Sequence, residues 1–132
     1  MIRALLPIPF VEKGRDRRGC DCWGIVLMYY KWKFDVDLPK FEDVYLKYKY
    51  PENGVEDFRE VVHPMEQFTE ISSPDQDDIV VLNVHGRPVH VGVMIDCQRF
   101  IHTYKGSGVC IESIDDQNWQ TKIESFHRWS NK

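Results

Sequence analysis

One cysteine and two histidines are the residues here whose types and spacing could do chemistry. Cys22 opens an apolar stretch in Asp21-Cys-Trp-Gly24, and His90 and His102 follow far downstream, twelve residues apart. A thiol in the first turn of a helix sits where unpaired amides and the macrodipole favour negative charge. With an imidazolium nearby, that placement can bring a thiol pKa from about 8.5 into a range of about 3.5–7.5. A thiolate made this way attacks carbonyl carbon, with histidine moving the proton. Taken alone, Cys22 reads first as a small buried hydrophobe, and His90 as a hydrogen-bonded structural histidine. Together they point to nucleophilic catalysis, with Cys22 as nucleophile, His90 as base and His102 orienting His90. The Cys22 backbone amide is the natural oxyanion donor.

These roles require a helix that begins at Cys22 and two strands whose histidines share a face. Cys22 to Phe34 is apolar at helical spacing on two faces, Trp23, Val26, Leu27, Tyr30 and Phe34 on one and Ile25, Met28, Tyr29 and Trp32 on the other. This predicts a helix inside the domain. Asp21 is its N-cap, and Asp35-Val-Asp-Leu-Pro39 ends it. Shorter helices are expected over 41–50 and 55–62, parted by Pro51-Glu-Asn-Gly54. Beyond Ser73-Pro74 the period becomes alternating, predicting strands at 79–83, 89–95, 100–104 and 109–113 and one or two more over 119–129. Helices first and a meandering antiparallel sheet second make an α+β fold, a single domain over residues 1–132.

Strand parity decides whether the histidines meet. In Val89-His-Val-Gly-Val-Met-Ile95 the valines and Ile95 share one face, while His90, Gly92 and Met94 project from the other. A three-residue loop over Asp96 to Gln98, with Ile95 opposite Arg99, sets His102 opposite Gly92 and diagonal to His90. A four-residue loop would turn His102 to the valine face.

Composition narrows the remaining classes. The 132 residues suit one sizeable core, and 42% hydrophobic with 13% aromatic residues describes a globular chain. A net charge of −4 argues against a nucleic-acid partner held by a basic surface. No apolar run nears the ~20 residues that span a bilayer, so membrane insertion is not expected. Met1 to Phe10 carries one arginine and two prolines without an apolar core, which reads as a chain made in the cytoplasm without a signal peptide. In that reducing setting the four cysteines need not form disulfides. They also contain no C-x-x-C pair, so neither a metal nor another cofactor is expected. Cys20 reads as a loop residue, Cys97 as an exposed turn residue and Cys110 as core. His63, His85 and His127 read as structural or surface residues, and Asp75, Asp77 and Asp78 as a solvated turn.

Four segments, Asp21-Cys-Trp-Gly-Ile-Val26, Asp78-Ile-Val-Val81, His90-Val-Gly-Val93 and Phe100-Ile-His102, occur in the order and with the histidine spacing of the NlpC-type papain-like cysteine peptidases. The resemblance covers about residues 5–115. It implies a papain-like α+β fold, a nucleophile helix packed on an antiparallel sheet, and hydrolysis of γ-D-glutamyl or nearby amide bonds in peptidoglycan stem peptides. It also implies the roles given above for Cys22, His90 and His102, with Asp21, Trp23 and Phe10 bordering the substrate. The tryptophan after the cysteine, preceded by Pro9-Phe-Val-Glu-Lys-Gly-Arg-Asp16, resembles compact peptidases of phage tail modules. That branch implies tail-tip or baseplate partners, a place in the virion tail of a protein made in the host cytoplasm, and wall opening as the task. Two positions depart from the common pattern. Trp23 stands where a small residue is usual, and Phe10 where a tyrosine hydroxyl usually lines the site. The cysteine-before-histidine order also fits amidases of the CHAP type and disfavours the permuted lipid acyltransferases. A docking subunit that keeps the fold without catalysis is the alternative from a different functional class.

Overall fold

The computed structural model describes residues 2–12, 14–40, 62, 65–84 and 86–131. A short helix α1 (Ile2–Leu5) and a two-stranded hairpin, β1 (Arg15–Asp16) and β2 (Gly19–Cys20), lead into helix α2 (Cys22–Phe34). Six strands follow: β3 (Phe68–Ile71), β4 (Ile79–Val84), β5 (Arg87–Met94), β6 (Arg99–Tyr104), β7 (Gly108–Ser113) and β8 (Ile123–Trp129). They form one sheet in the order β3-β8-β4-β5-β6-β7, in which neighbouring strands run antiparallel. The expected α+β class and the four expected strands from β4 to β7 are present, each within two residues of its bounds. The expected helices at 41–50 and 55–62 lie, apart from Val62, outside the described residues, as do His63 and His85.

Beyond the expected elements the structure has the short helix α1, the β1–β2 hairpin and β3. The charged stretch before α2 carries the β1–β2 hairpin, tied to the N-terminal segment by Val11 N–H donating to Cys20 O at 3.0 Å and Cys20 N–H donating to Pro9 O at 3.1 Å. Cys20 is accordingly a buried strand residue and not a loop residue. Strand β3 pairs with β8 through Phe68↔Trp129, and its four residues are too few for periodicity to register. The C-terminal aromatic segment is one strand that inserts between β3 and β4, with Trp119 in the turns before it.

Helix α2 starts because Asp21, extended at φ −103°, accepts from Gly24 N–H at 2.7 Å. It stops where Asp35 turns left-handed at φ 53° and donates its N–H to Lys31 O at 3.0 Å. One face, with Trp23, Ile25, Val26, Tyr29 and Tyr30, is fully buried, but the helix is not enclosed all round. Leu27 and Met28 are half-buried and Trp32 is 39% exposed, lining an open groove of about 520 Å³ with Leu5 and Leu38. The acidic turn before β4 is also not a solvated one. Asp78 is buried in an ion pair with Arg128, and buried Asp77 accepts from Tyr29 Oη and Lys33 Nζ, each at 2.5 Å. Those two carboxylates fasten β8 and α2 to the start of β4.

The sheet divides the core. Ile79, Val81, Val91, Val93 and Ile101 pack under α2, whereas Val80, Leu82, Met94, Phe100 and Trp119 form a second cluster on the opposite face. The β5–β6 register, Val93↔Ile101 and Met94↔Phe100, is the one expected, so Gly92 and His102 face each other. A Cβ on Gly92 would lie 2.8 Å from Ile101 O and 3.1 Å from His102 Cβ. Glycine is what lets the His102 strand approach. Gly92→Ala is therefore expected to destabilise the fold by about 1–3 kcal/mol through overpacking, read as a lowered urea midpoint. An unchanged midpoint would show that β6 can yield without cost.

Candidate active site

The alternation of β5 and β6 sends His90 and His102 to the face away from α2, where Trp119 closes over them. His90 Nε2 lies 2.7 Å from His102 Nδ1. The His90 ring stacks on Trp119 with centroids 6.1 Å apart and planes at 25°, and His102 meets the same indole edge-on at 4.9 Å. His90 is 6% exposed and His102 fully buried. His102 continues outward, its Nε2 2.5 Å from Glu112 Oε2 on β7.

Cys22 approaches β5 from the α2 side of the sheet. Ile95 N–H donates to Arg99 O at 2.9 Å, so the odd-numbered amides of β5 point toward β6. The β5–β6 ladder ends at Val93↔Ile101. The next amide on that edge, Val91 N–H, lies close enough to the Cys22 thiol to favour its thiolate, as does the Trp23 N–H of the helix's first turn. The Cys22 sulfur is thus near the residue that follows His90.

At rest the thiol and the two imidazoles favour their uncharged forms. Burial pushes the Cys22 thiol up to about 12, reinforced by the Asp21 carboxylate and opposed by the Val91 and Trp23 amides. This corrects the expectation of a thiol lowered by the helix terminus: full burial beside an acid outweighs the dipole. Burial also pushes His90 down to about 3, with His102 adding to it, and His102 down to about 3. Cys20 is buried and likewise raised to about 12, and all four cysteines are free thiols.

The other sequence candidates sit around the helix start. Asp21 is fully buried, with one carboxylate oxygen capping Gly24 and the other paired with Arg15. Trp23 is 1% exposed and donates from Nε1 to Pro39 O at 2.8 Å. Phe10 is half-buried, bridges to the Cys20 backbone and lines a small groove with Leu6 and Gly108. His127 is buried beside Ser125, Cys97 is exposed, and Cys110, expected in the core, is only half-buried on β7. Sequence reasoning missed Glu112 and Trp119. For Glu112 the signal was there: Tyr104↔Gly108 pairing puts Cys110 and Glu112 on the His102 face. Trp119 lies in irregular turns, where no periodicity places it. Among the described residues, His102, Cys110 and Glu112 are the group that could hold a metal ion, with ligand atoms within 4.8 Å of one another. No helix among them is long and apolar enough to cross a membrane.

A helix with a cysteine in its first turn, packed against an antiparallel sheet that carries a histidine pair, has the arrangement of a papain-like protein. Residues 8–128 match the NlpC/P60 family, and the chain belongs to it. It is 25% identical over 115 residues to the Escherichia coli K12 protein named murein DD-endopeptidase MepS and murein LD-carboxypeptidase. That match covers 87% of this chain and 52% of the relative, so the chain spans about half the length of the curated relatives it matches. Its fold resembles the NlpC/p60 domain of the peptidoglycan hydrolase SagA, with a TM-score of 0.62 at 17% identity over 95% of this chain and 89% of that one. It also resembles a lipoprotein-like NLP/P60 protein of Staphylococcus aureus Mu50, with a TM-score of 0.63 at 19% identity over 97% of this chain and 39% of that one.

Keeping two imidazoles neutral inside the fold has a consequence for stability. Each takes up a proton near pH 6.5 in the unfolded chain but not in the folded one, so the unfolded state binds more protons below that pH. Stability is then full above pH ~6.5 and falls as pH drops, by up to ~1.4 kcal/mol per unit for each histidine. Urea midpoints at pH 7 and pH 5 should show the decline, and His102→Gln should flatten it. An equal decline in that variant would mean that His102 is not buried in its neutral form.

Proposed function

We propose that this protein is a cysteine peptidase that hydrolyses amide bonds in peptidoglycan stem peptides, with Cys22 as nucleophile and His90 as base. The observation that carries the reading is the 2.7 Å contact of His90 Nε2 with His102 Nδ1 on the strand beside which Cys22, in the first turn of α2, lies near the following Val91 amide. Family membership and the peptidoglycan-directed names of MepS and SagA supply the substrate class.

The chemistry follows from two neutral partners. With Nε2 of His90 engaged by His102, Nδ1 is the atom that receives the thiol proton as sulfur attacks the amide carbon. The oxyanion forms beside the helix N-terminus, where the Cys22 N–H is the donor. The imidazolium returns its proton to the leaving nitrogen, the C–N bond breaks and a thioester remains. Water, deprotonated by His90, then attacks the thioester, and the released sulfur regains its proton. The indole face stacked on His90 favours the transient imidazolium. Asp21 and Trp23 act from behind, fixing the helix start, and Phe10 provides an apolar wall on the substrate side that cannot donate a hydrogen bond.

The finer setting is a phage tail tip, supported by the Trp23 variant of the cysteine motif and the segment preceding it. Tail-tip or baseplate proteins are then its partners, the virion tail its location after synthesis in the host cytoplasm, and local wall opening its task. Cleavage of purified stem peptides, followed by mass spectrometry, tests the activity. Wild type should cleave, and Cys22→Ala and His90→Ala should each lose at least about 10³-fold in kcat/KM while remaining folded. Equal turnover by wild type and Cys22→Ala would sink the nucleophile assignment, and silence of a folded wild type would favour the docking reading.

A further inference from the structure

We infer that Glu112 is a positioning residue that sets the direction of proton transfer through both histidines. The inference rests on the catalytic reading above and deepens it. Glu112 lies on β7 in the register position that brings its carboxylate 2.5 Å from His102 Nε2, with its side chain 25% exposed and the histidine fully buried. An ionised carboxylate only accepts hydrogen bonds. His102 must therefore carry its proton on Nε2, which leaves Nδ1 with a lone pair. His90 Nε2, 2.7 Å from that lone pair, must in turn be the N–H donor. The remaining nitrogen of His90, Nδ1, is then unprotonated and basic, as an atom that removes the thiol proton must be. One acceptor at the outer end of the chain fixes the tautomer of two rings and leaves the free electron pair at the inner end.

The alternative arrangement shows why this matters. A donor in place of the carboxylate would pair with a lone pair on His102 Nε2 and move the proton of that ring to Nδ1. His102 would then donate to His90 Nε2, and His90 would carry its proton on Nδ1, facing the thiol with no lone pair to offer. The two tautomer chains use the same atoms at the same distances, so packing alone does not choose between them. Burial keeps both rings neutral, which makes the choice of tautomer decisive. Cys110 Sγ, which also lies 3.7 Å from Ser107 Oγ, faces the same Glu112 oxygen at 3.9 Å as a donor, in keeping with the carboxylate's role as acceptor. Trp119 and Phe100, which pack against His102, carry no acceptor that could replace it.

Histidine ring ¹⁵N NMR at neutral pH reads the tautomers directly, without substrate. The wild type should show both His90 and His102 protonated on Nε2. Glu112→Lys, a donor-only side chain on a partly exposed strand position, should move both to Nδ1, and Glu112→Ala should leave a mixture. With stem peptides, kcat should fall at least 100-fold in Glu112→Lys with KM little changed, and Glu112→Asp should recover activity to within about tenfold of wild type. A wild type with His102 protonated on Nδ1, or a folded Glu112→Lys or Glu112→Ala variant with both rings still protonated on Nε2, would overturn the inference. Because the NMR arm needs no turnover, absence of peptidase activity would strike only the catalytic reading and leave this result legible.

Discussion

The separation of β5 from β6 beyond Val93 is the feature on which the rest of the site depends. A helix packed on one face of a sheet cannot deliver a side chain to the other face through an intact ladder. Here the β5–β6 pairing stops at Val93↔Ile101, and the first turn of α2 brings the Cys22 sulfur near the Val91 amide on the same strand edge. The separation has identifiable local supports. Gly92 allows β6 close contact just before the strands part, and the Asp21 cap, locked by Arg15, fixes where the helix begins. Burial of Tyr29 and Tyr30 against the Asp77 turn holds the rest of the helix on the sheet.

The electrostatic design follows from that enclosure. A thiol and two imidazoles with almost no access to water favour their uncharged forms, so the resting site has the parts of an ion pair without the charges. In the proposed reaction, charge separates only when the substrate carbonyl is present to accept the sulfur's electrons and helix-terminal amides are there to receive the oxyanion. The cost of neutral burial is a fold that weakens in acid.

Much of this was legible in the sequence because it depends on parity and spacing. The alternation of Val89 to Ile95 fixed which residues share a face with His90, and the three-residue turn over Asp96 to Gln98 fixed that His102 would join them. Asp21 announced the helix start by the chemistry of its carboxylate. Other features were hidden for physical reasons. The height of the Cys22 pKa reflects burial by segments remote in sequence, which local helix-terminus reasoning cannot weigh. Asp77 and Asp78 looked like a solvated turn because their partners, Tyr29, Lys33 and Arg128, are some fifty residues away along the chain. Strand β3 and the β1–β2 hairpin are too short to carry a period, and β8 gave no sign that it would insert beside β4. Glu112 needed only one more step of the parity argument applied to the His102 strand.

The most direct test of the central claim, that Cys22 is the nucleophile served by His90, is site-resolved trapping. A stem peptide ending in a chloromethyl ketone would be incubated with the protein, and modification of each of the four cysteines mapped by peptide mass spectrometry. The account predicts modification at buried Cys22 ahead of exposed Cys97, and loss of that preference in His90→Ala. Modification confined to Cys97, or unchanged labelling of Cys22 without His90, would contradict it.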